Sequence, residues 1–233
     1  MALPKIDLPI FDLTLPSTGE KIKYRPFTVK EEKILLVAQE AADPRQEMLA
    51  AKQIINNCLI DGNIEDLAMF DAEYILINLR GKSVENTAAF TIKDPDTEEE
   101  VQLELDIDAI KIKKNDEHTN KIRINDEYVL FLKYPTINEF IKMFDYAPND
   151  PLADYFIMVS CLDSIASEDE VHKFTDYTQE EIDSFMDDMS ADVIKQIQTF
   201  FETMPRLRQE LKYTNTNDEE KTFVIEGMRS FFI

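Results

Sequence analysis

Near its start the chain alternates. Phe11, Leu13 and Leu15 stand at every second position with polar residues between them, Pro16 to Gly19 follows, and Ile22 and Tyr24 resume the alternation. A period of two sends successive side chains to opposite faces of a strand, so Phe11 to Arg25 predicts a β-hairpin, closed at Pro26. The spacing then becomes helical. Thr28 with Glu31 three residues on is a capping box, in which hydroxyl and carboxylate satisfy the first exposed N–H groups of a helix, here one that runs to about Ala42. Asp43 and Pro44 interrupt it. Met48, Ala51, Ile55, Cys58 and Leu59 predict a second helix ending at Ile60, before Gly62. A third carries Tyr74, Ile75, Ile77 and Leu79, with Asp71 as its N-cap and Gly81 as its left-handed C-terminal cap.

From Val84 to Tyr134 the period returns to two. Ala89 to Ile92, then Val101, Leu103, Leu105 and Ile107, then Ile122 and Ile124, then Val129 to Leu132 predict a small antiparallel module, with turns at Asp94 to Thr97 and at Asn125-Asp126. The polar stretch from Lys111 to Asn120 is expected to be a mobile loop. Lys133-Tyr134-Pro135-Thr136 with Glu139 then repeats an earlier order: strand, proline corner, threonine cap, helix. Two capping boxes after strands are common, so this order alone does not define a sequence repeat. Helices are predicted at Ile137 to Phe144, Leu152 to Ile165, Gln179 to Met189 and Ala191 to Met204, the last stopped by Pro205. Their apolar stripes are Leu152, Tyr155, Phe156, Val159 and Leu162, and Val193, Ile194, Ile197, Phe200 and Phe201. Asn215 to Glu220 reads as a charged turn, and Phe223 to Ile233 as an apolar end.

The expected fold class is α+β, mainly helical, with an N-terminal β-hairpin and a small central antiparallel β module. The expected divisions are 1–83 (hairpin plus helices), 84–135 (β module) and 136–233 (a helical region packing with the N-terminal helices). Met1 to Ile10, with prolines at 4 and 9, reads as an extended arm.

Charge narrows the partners. The chain carries 25 basic against 47 acidic residues, a formal charge of -22, which disfavours unspecific binding to nucleic acid or anionic lipid, since neutralising phosphate needs a basic face, and a basic partner surface suits it better. The plainest reading of the acidity is a solvated surface; a nucleic-acid mimic is the sharper one. Cys58 and Cys161 lie within apolar helical patterns and read as buried thiols of a reducing cytoplasm. No signal peptide and no apolar run of membrane-spanning length is evident, so the expectation is a soluble intracellular protein.

Few residues point to chemistry. Gly81-Lys82-Ser83 matches the end of a phosphate loop, but Leu76 stands where the loop needs its first glycine. Asp94, Asp96 and Glu98 begin like a calcium loop, but Glu99 replaces the glycine of the sixth position and Leu105 the bidentate carboxylate of the twelfth. A solvated turn explains them. His118 and His172 fall in different modules with no ligand spacing. The acidic run from Asp163 to Asp192 alternates with Ile182, Phe185, Met186 and Met189, which is the wet face of an amphipathic helix; the rival reading is a carboxylate-dependent hydrolase. No catalytic residue, cofactor or metal is predicted.

Three stretches carry a resemblance: LTLPSTGEKIKYRPF at Leu13 to Phe27 running into TVKEEKILL; LRGKSV at Leu79 to Val84; and FFETMPRL at Phe200 to Leu207 with IEGMRSFF at Ile225 to Phe232. On these the chain resembles, over essentially its full length, the baseplate hub protein family of T-even-type contractile-tailed phages. The resemblance implies a non-enzymatic hub component or hub assembly factor, binding other baseplate hub proteins, made in the host cytoplasm and carried in the tail baseplate. By aromatic and arginine character the candidate contact residues are Tyr24, Arg25, Pro26 and Phe27 at the first corner, and Met204, Pro205, Phe231 and Phe232 near the end. The competing reading makes them core and corner residues. An acidic regulatory binding protein and the hydrolase remain the alternatives.

Overall fold

The opening alternation forms strands β1 (Phe11–Thr14) and β2 (Lys21–Tyr24), antiparallel with Leu13 opposite Ile22. The loop between them turns at Gly19, whose φ of +75° favours glycine. Helix α1 (Val29–Ala41) starts on the completed capping box of Thr28 and Glu31. Helix α2 (Pro44–Cys58) starts on Asp43, with Pro44 in the first turn, where a missing N–H costs nothing. A 3₁₀ turn (Ile64–Asp66) leads to α3 (Met69–Ser83). Then come β3 (Thr87–Lys93), β4 (Glu100–Asp106), β5 (Ile112–Lys113), β6 (Lys121–Arg123) and β7 (Val129–Leu132). Helices α4 (Ile137–Met143) and α5 (Pro151–Ser160), strands β8 (Leu162–Ala166) and β9 (Val171–Lys173), and a 3₁₀ turn (Phe174–Asp176) follow. Helices α6 (Gln179–Asp187) and α7 (Ala191–Thr203) and strands β10 (Arg206–Thr214) and β11 (Glu220–Glu226) complete the order.

These elements come from a computed structural model that describes residues 7–83 and 86–227. They fall into two compact units, one of Met1–Lys113 with Arg206–Ile233 and one of Lys114–Pro205. In the first unit β3 pairs with β4, β10 with β11, and β10 also with β5, all antiparallel. Ile77 of α3, Leu103 and Leu105 of β4, Ile107, Ile110, Leu207 of β10 and Ile225 of β11 make one buried cluster. The tips of the two hairpins are tied as well. Tyr213 donates its hydroxyl to Asp94 at 2.8 Å, and the other oxygen of Asp94 accepts from the N–H groups of Asp96 and Thr97. Asp94 is therefore a buried turn residue and not a solvated one.

The second unit is a four-stranded antiparallel sheet in the order β6-β7-β8-β9. Leu130, Leu132 and Leu162 of the sheet share a core with Phe174, Met186 of α6, and Val193, Ile197 and Phe200 of α7. Burial of these groups, at roughly 1.5–3 kcal/mol for each large apolar side chain, is what fixes the α6 and α7 faces.

The two units share a plan. In the first, Arg25 N–H donates to the Cys58 carbonyl at 2.9 Å and Tyr24 bridges antiparallel to Leu59. In the second, Lys133 N–H donates to the Cys161 carbonyl at 2.8 Å and Leu132 pairs with Leu162. Both then run hairpin, proline corner, box-capped helix, Asp-Pro-capped helix, Cys-Leu return to the hairpin, 3₁₀ turn and third helix. The recurrence seen in the sequence thus reaches well beyond two capping boxes. Its register also differs: the backbone sets Arg25 against Lys133 and Thr28 against Thr136, whereas matching Lys-Tyr to Lys-Tyr would slip the strands, because the return pairing decides the register.

Several expectations change. The fold is α+β with the N-terminal hairpin in place, but among the described residues strand accounts for 26% against 42% helix, so "mainly helical" holds only in part. The predicted strands of 84–135 form, but β3 to β5 belong to one unit and β6 and β7 to the other, so boundaries at 83 and 135 do not coincide with the compact units. Long-range pairing decides that. The helix expected over 152–165 ends at Ser160, and its buried positions are Ala153 and Ile157, with Leu152 61% exposed. The chain after Pro205 forms the β10-β11 hairpin, with Asn215 to Glu219 as its turn. The stretch from Lys111 to Asn120 holds β5 and is anchored by His118, which contacts Thr203 at 2.9 Å and Tyr134 at 3.0 Å. Asp71 lies within the first turn of α3, so it is not the cap.

Gly81 is likewise interior to α3, and its role is close approach. A Cβ there would meet the Ile107 side chain at 2.8 Å and Asn86 at 3.1 Å, and Ile107 is only 2% exposed. Alanine ordinarily favours a helix over glycine by about 1 kcal/mol. Gly81→Ala is nonetheless expected to lose about 1–3 kcal/mol by overpacking, as urea denaturation would show. A gain in stability would mean that Ile107 yields.

Candidate interaction site

The first corner is braced from inside the first unit. Arg25 donates from Nη2 to Glu31 Oε1 at 3.1 Å and to the Asn57 carbonyl at 2.9 Å, and from Nη1 to the Pro26 carbonyl at 2.9 Å. Glu31 is fully buried and also accepts the Thr28 N–H at 2.9 Å and the Thr28 hydroxyl at 2.7 Å. Burial alone would raise its carboxyl, but Arg25 and Thr28 together bring it down to about 2. Phe27 N–H donates to Ser83 Oγ at 2.9 Å, which ties the corner to the end of α3. In the second unit the matching brace is looser, with Lys133 Nζ 3.8 Å from Glu139.

The candidate contact residues are therefore placed unevenly. Tyr24 is 2% exposed, with its hydroxyl pushed up to about 12 by burial, then by Asp108 and Tyr74. Pro26 is buried, while Arg25 and Phe27 are half-buried. In the second unit Pro205 is buried and Met204, which caps α7, is half-buried. Phe231 and Phe232 lie outside the described residues. The structure brings Tyr24 to Phe27 together as an internal joint whose surface share rests on Phe27 and the edge of Arg25.

A groove in the second unit was not legible in the sequence. It has a volume of about 550 Å³ and lies between the β6-β7 loop, β8, β9 and α6. Ile124, Ile165, Phe174, Ile182 and Phe185 give it an apolar floor, and Tyr128, His172, Tyr177 and Glu181 stand around it. His172 Nδ1 is 2.7 Å from the Tyr177 hydroxyl and its Nε2 is 3.2 Å from Glu170. The lining comes from four separate elements at mixed spacings, so no single run of sequence marks it. The one hint was the alternation of acidic with apolar residues across α6.

The residues weighed for chemistry have structural partners. Both histidines lie in the second unit, but His118 is wedged against Tyr134 and Phe200, with its pKa lowered by burial. Cys58 and Cys161 are buried free thiols, pushed up by burial to about 11 and about 12, so both are protonated near neutral pH. Among the described residues no three His, Cys, Asp or Glu side chains converge as metal ligands. Of the acidic run, Asp183 accepts from Tyr155 and Gln179, and Glu168, Asp169, Glu170, Glu180, Glu181, Asp187 and Asp188 are exposed. No helix among the described residues is long and apolar enough to cross a membrane.

The described residues thus combine braced joints, an open apolar groove and a largely acidic surface. The chain belongs to the family described as T4 bacteriophage base plate protein, whose model matches residues 8–233. Membership implies a structural or assembly role in the phage baseplate, contact with other baseplate proteins and a place in the virion tail. Neither a curated protein nor a solved structure matches the chain.

Because the folded-state pKa of Glu31 is depressed from 4.5 to about 2, its contribution to stability is complete above the unfolded value and lost as pH falls through that window. Glu31→Gln is expected to cost about 3 kcal/mol at neutral pH by leaving Arg25 without its carboxylate. Urea titrations of both proteins should show the gap closing between pH 4.5 and 2. Arg25→Glu, which sets two carboxylates together at a buried site, is expected to lower the thermal midpoint substantially; an unchanged midpoint would show that the corner is no brace.

Proposed function

We propose that this chain is a non-enzymatic component, or an assembly factor, of the central hub of the tail baseplate, and that it works by binding other hub proteins. Its setting on this reading is the host cytoplasm during assembly and the tail baseplate afterwards. The observation that carries the reading is a baseplate family match over nearly the whole chain, combined with a groove suited to a protein segment. The perturbed groups support it too. Burial would raise the carboxyls of Glu31 and Asp94, but their hydrogen-bond partners in a joint and a turn hold both low, while burial and then Asp183 push the Tyr155 hydroxyl up, so each shift comes from a structural contact. A charge of -22 suits a protein that shields basic or adhesive hub surfaces until they assemble, while like-charge repulsion keeps its own copies apart.

Mass spectrometry of purified mature tails beside hub assembly intermediates tests this reading. Presence in both identifies a structural subunit of the hub, and presence in the intermediates alone identifies an assembly factor. Absence from both would overturn the proposal.

A further inference from the structure

The cleft between the first hairpin and the third helix is built twice, once in each unit, and only one copy is closed. In the first unit the loop after β1 reaches the start of α3. Ser17 N–H donates to Asp71 at 3.0 Å, the Ser17 hydroxyl donates to the same carboxylate, and Leu15, Phe70 and Asp71 are buried. In the second unit the loop after β6 and the start of α6 stand on either side of the groove. Glu181 holds the place in α6 that Asp71 holds in α3, the third residue. It turns back to accept the Thr178 N–H at 2.8 Å and the Thr178 hydroxyl at 2.9 Å, and it leaves the cleft open.

We infer that this groove docks a short segment of another baseplate protein that presents an aromatic or leucine side chain with a Lys or Arg beside it. The inference rests on the baseplate reading and adds the chemistry of the partner. The floor accepts the apolar anchor, and a recess of about 550 Å³ is sized for a few side chains and not for the face of a folded domain. The rim selects the cation. Glu181 lines the groove, Glu170 pairs with His172 on its wall, and the charges of Glu127 and Glu170 are felt at the Tyr128 hydroxyl, whose pKa they raise. The two cations of the flanking strands β6 and β9 nearest the groove in sequence are turned elsewhere. Arg123 is held by Asp126 at 2.7 Å, and Lys173 follows His172 in β9, which sends it to the opposite face of the sheet. An acidic segment would meet repulsion here, and a purely apolar one would forgo the rim.

The test uses the full chain and an array of overlapping peptides tiling the baseplate proteins of the same phage, with binders measured by fluorescence anisotropy at low and high salt. A peptide of residues 228–233 of this chain is included. The expected binders carry an aromatic residue or leucine next to Lys or Arg. Ile182→Asp and, at the exposed rim, Tyr177→Ala should each weaken them by roughly tenfold, the loss of one good anchor contact. Glu127→Gln with Glu170→Gln should weaken binding severalfold at low salt and flatten its salt dependence, with circular dichroism unchanged for all variants. The inference is overturned if nothing binds, if the binders are acidic, or if folded Tyr177→Ala binds as the parent does. It is also overturned if only the 228–233 peptide binds, or if the groove proves to mediate a dimer that Tyr177→Ala abolishes; the occupant is then the chain itself. Normal incorporation of the groove variants into baseplates would remove the inference and leave the baseplate reading standing, whereas absence of the parent chain from tails and intermediates would remove the reading.

Discussion

A buried carboxylate organises the front of this protein. Glu31 has no exposed surface, and its charge is kept by a guanidinium, a backbone N–H and a hydroxyl that come from the corner and the helix cap beside it. An uncompensated charge in that position would cost several kcal/mol, so corner, cap and helix must form together or not at all. Arg25 carries the constraint further, because the same guanidinium donates to the Asn57 carbonyl in the last turn of α2. Strand β2, helix α1 and the end of α2 are thereby fixed by one pair of side chains, and α3 is added through Phe27 and Ser83.

The second unit repeats the backbone solution with weaker chemistry. Lys133 and Glu139 stand where Arg25 and Glu31 do, farther apart and more exposed. A lysine offers a point charge where arginine offers a planar fork, so it cannot reach several acceptors at once. Cohesion there comes from the sheet β6 to β9 and the core beneath α6 and α7. Once the hairpin tip no longer has to clamp the third helix, the cleft between them is free to become a binding groove. One plan thus provides a closed structural unit and an open one, and the difference lies in what the third residue of the third helix holds: Ser17 in one case, its own cap in the other.

Acidic side chains do two different jobs. Glu31, Asp71 and Asp94 are buried and satisfied, each closing a corner, a cleft or a turn. The carboxylates of the 163–192 region are mostly at the surface, where they set the field that a partner meets. Net charge informs only about the second kind, and composition cannot separate the two.

Much of the fold was legible because it is written in local chemistry. Capping boxes at Thr28 and Thr136 and the period-two runs that became β1 to β4, β6 and β7 each depend on residues a few positions apart. Those signals survive without tertiary context, and they also exposed the recurrence of strand, corner and capped helix. What they could not reveal depends on partners far along the chain. That β10 leaves α7 to pair with β5 and β11, that Gly81 is needed by Ile107, that Tyr24 faces inward, and that four separated elements leave a groove between them are outcomes of long-range packing. The sequence by itself determined where the box-capped helices and strands β1 to β4, β6 and β7 lie, and that the chain is acidic. Only the tertiary structure decided which of two equivalent clefts is closed, because that turns on whether a hairpin tip can reach a helix end, a distance that no local pattern encodes.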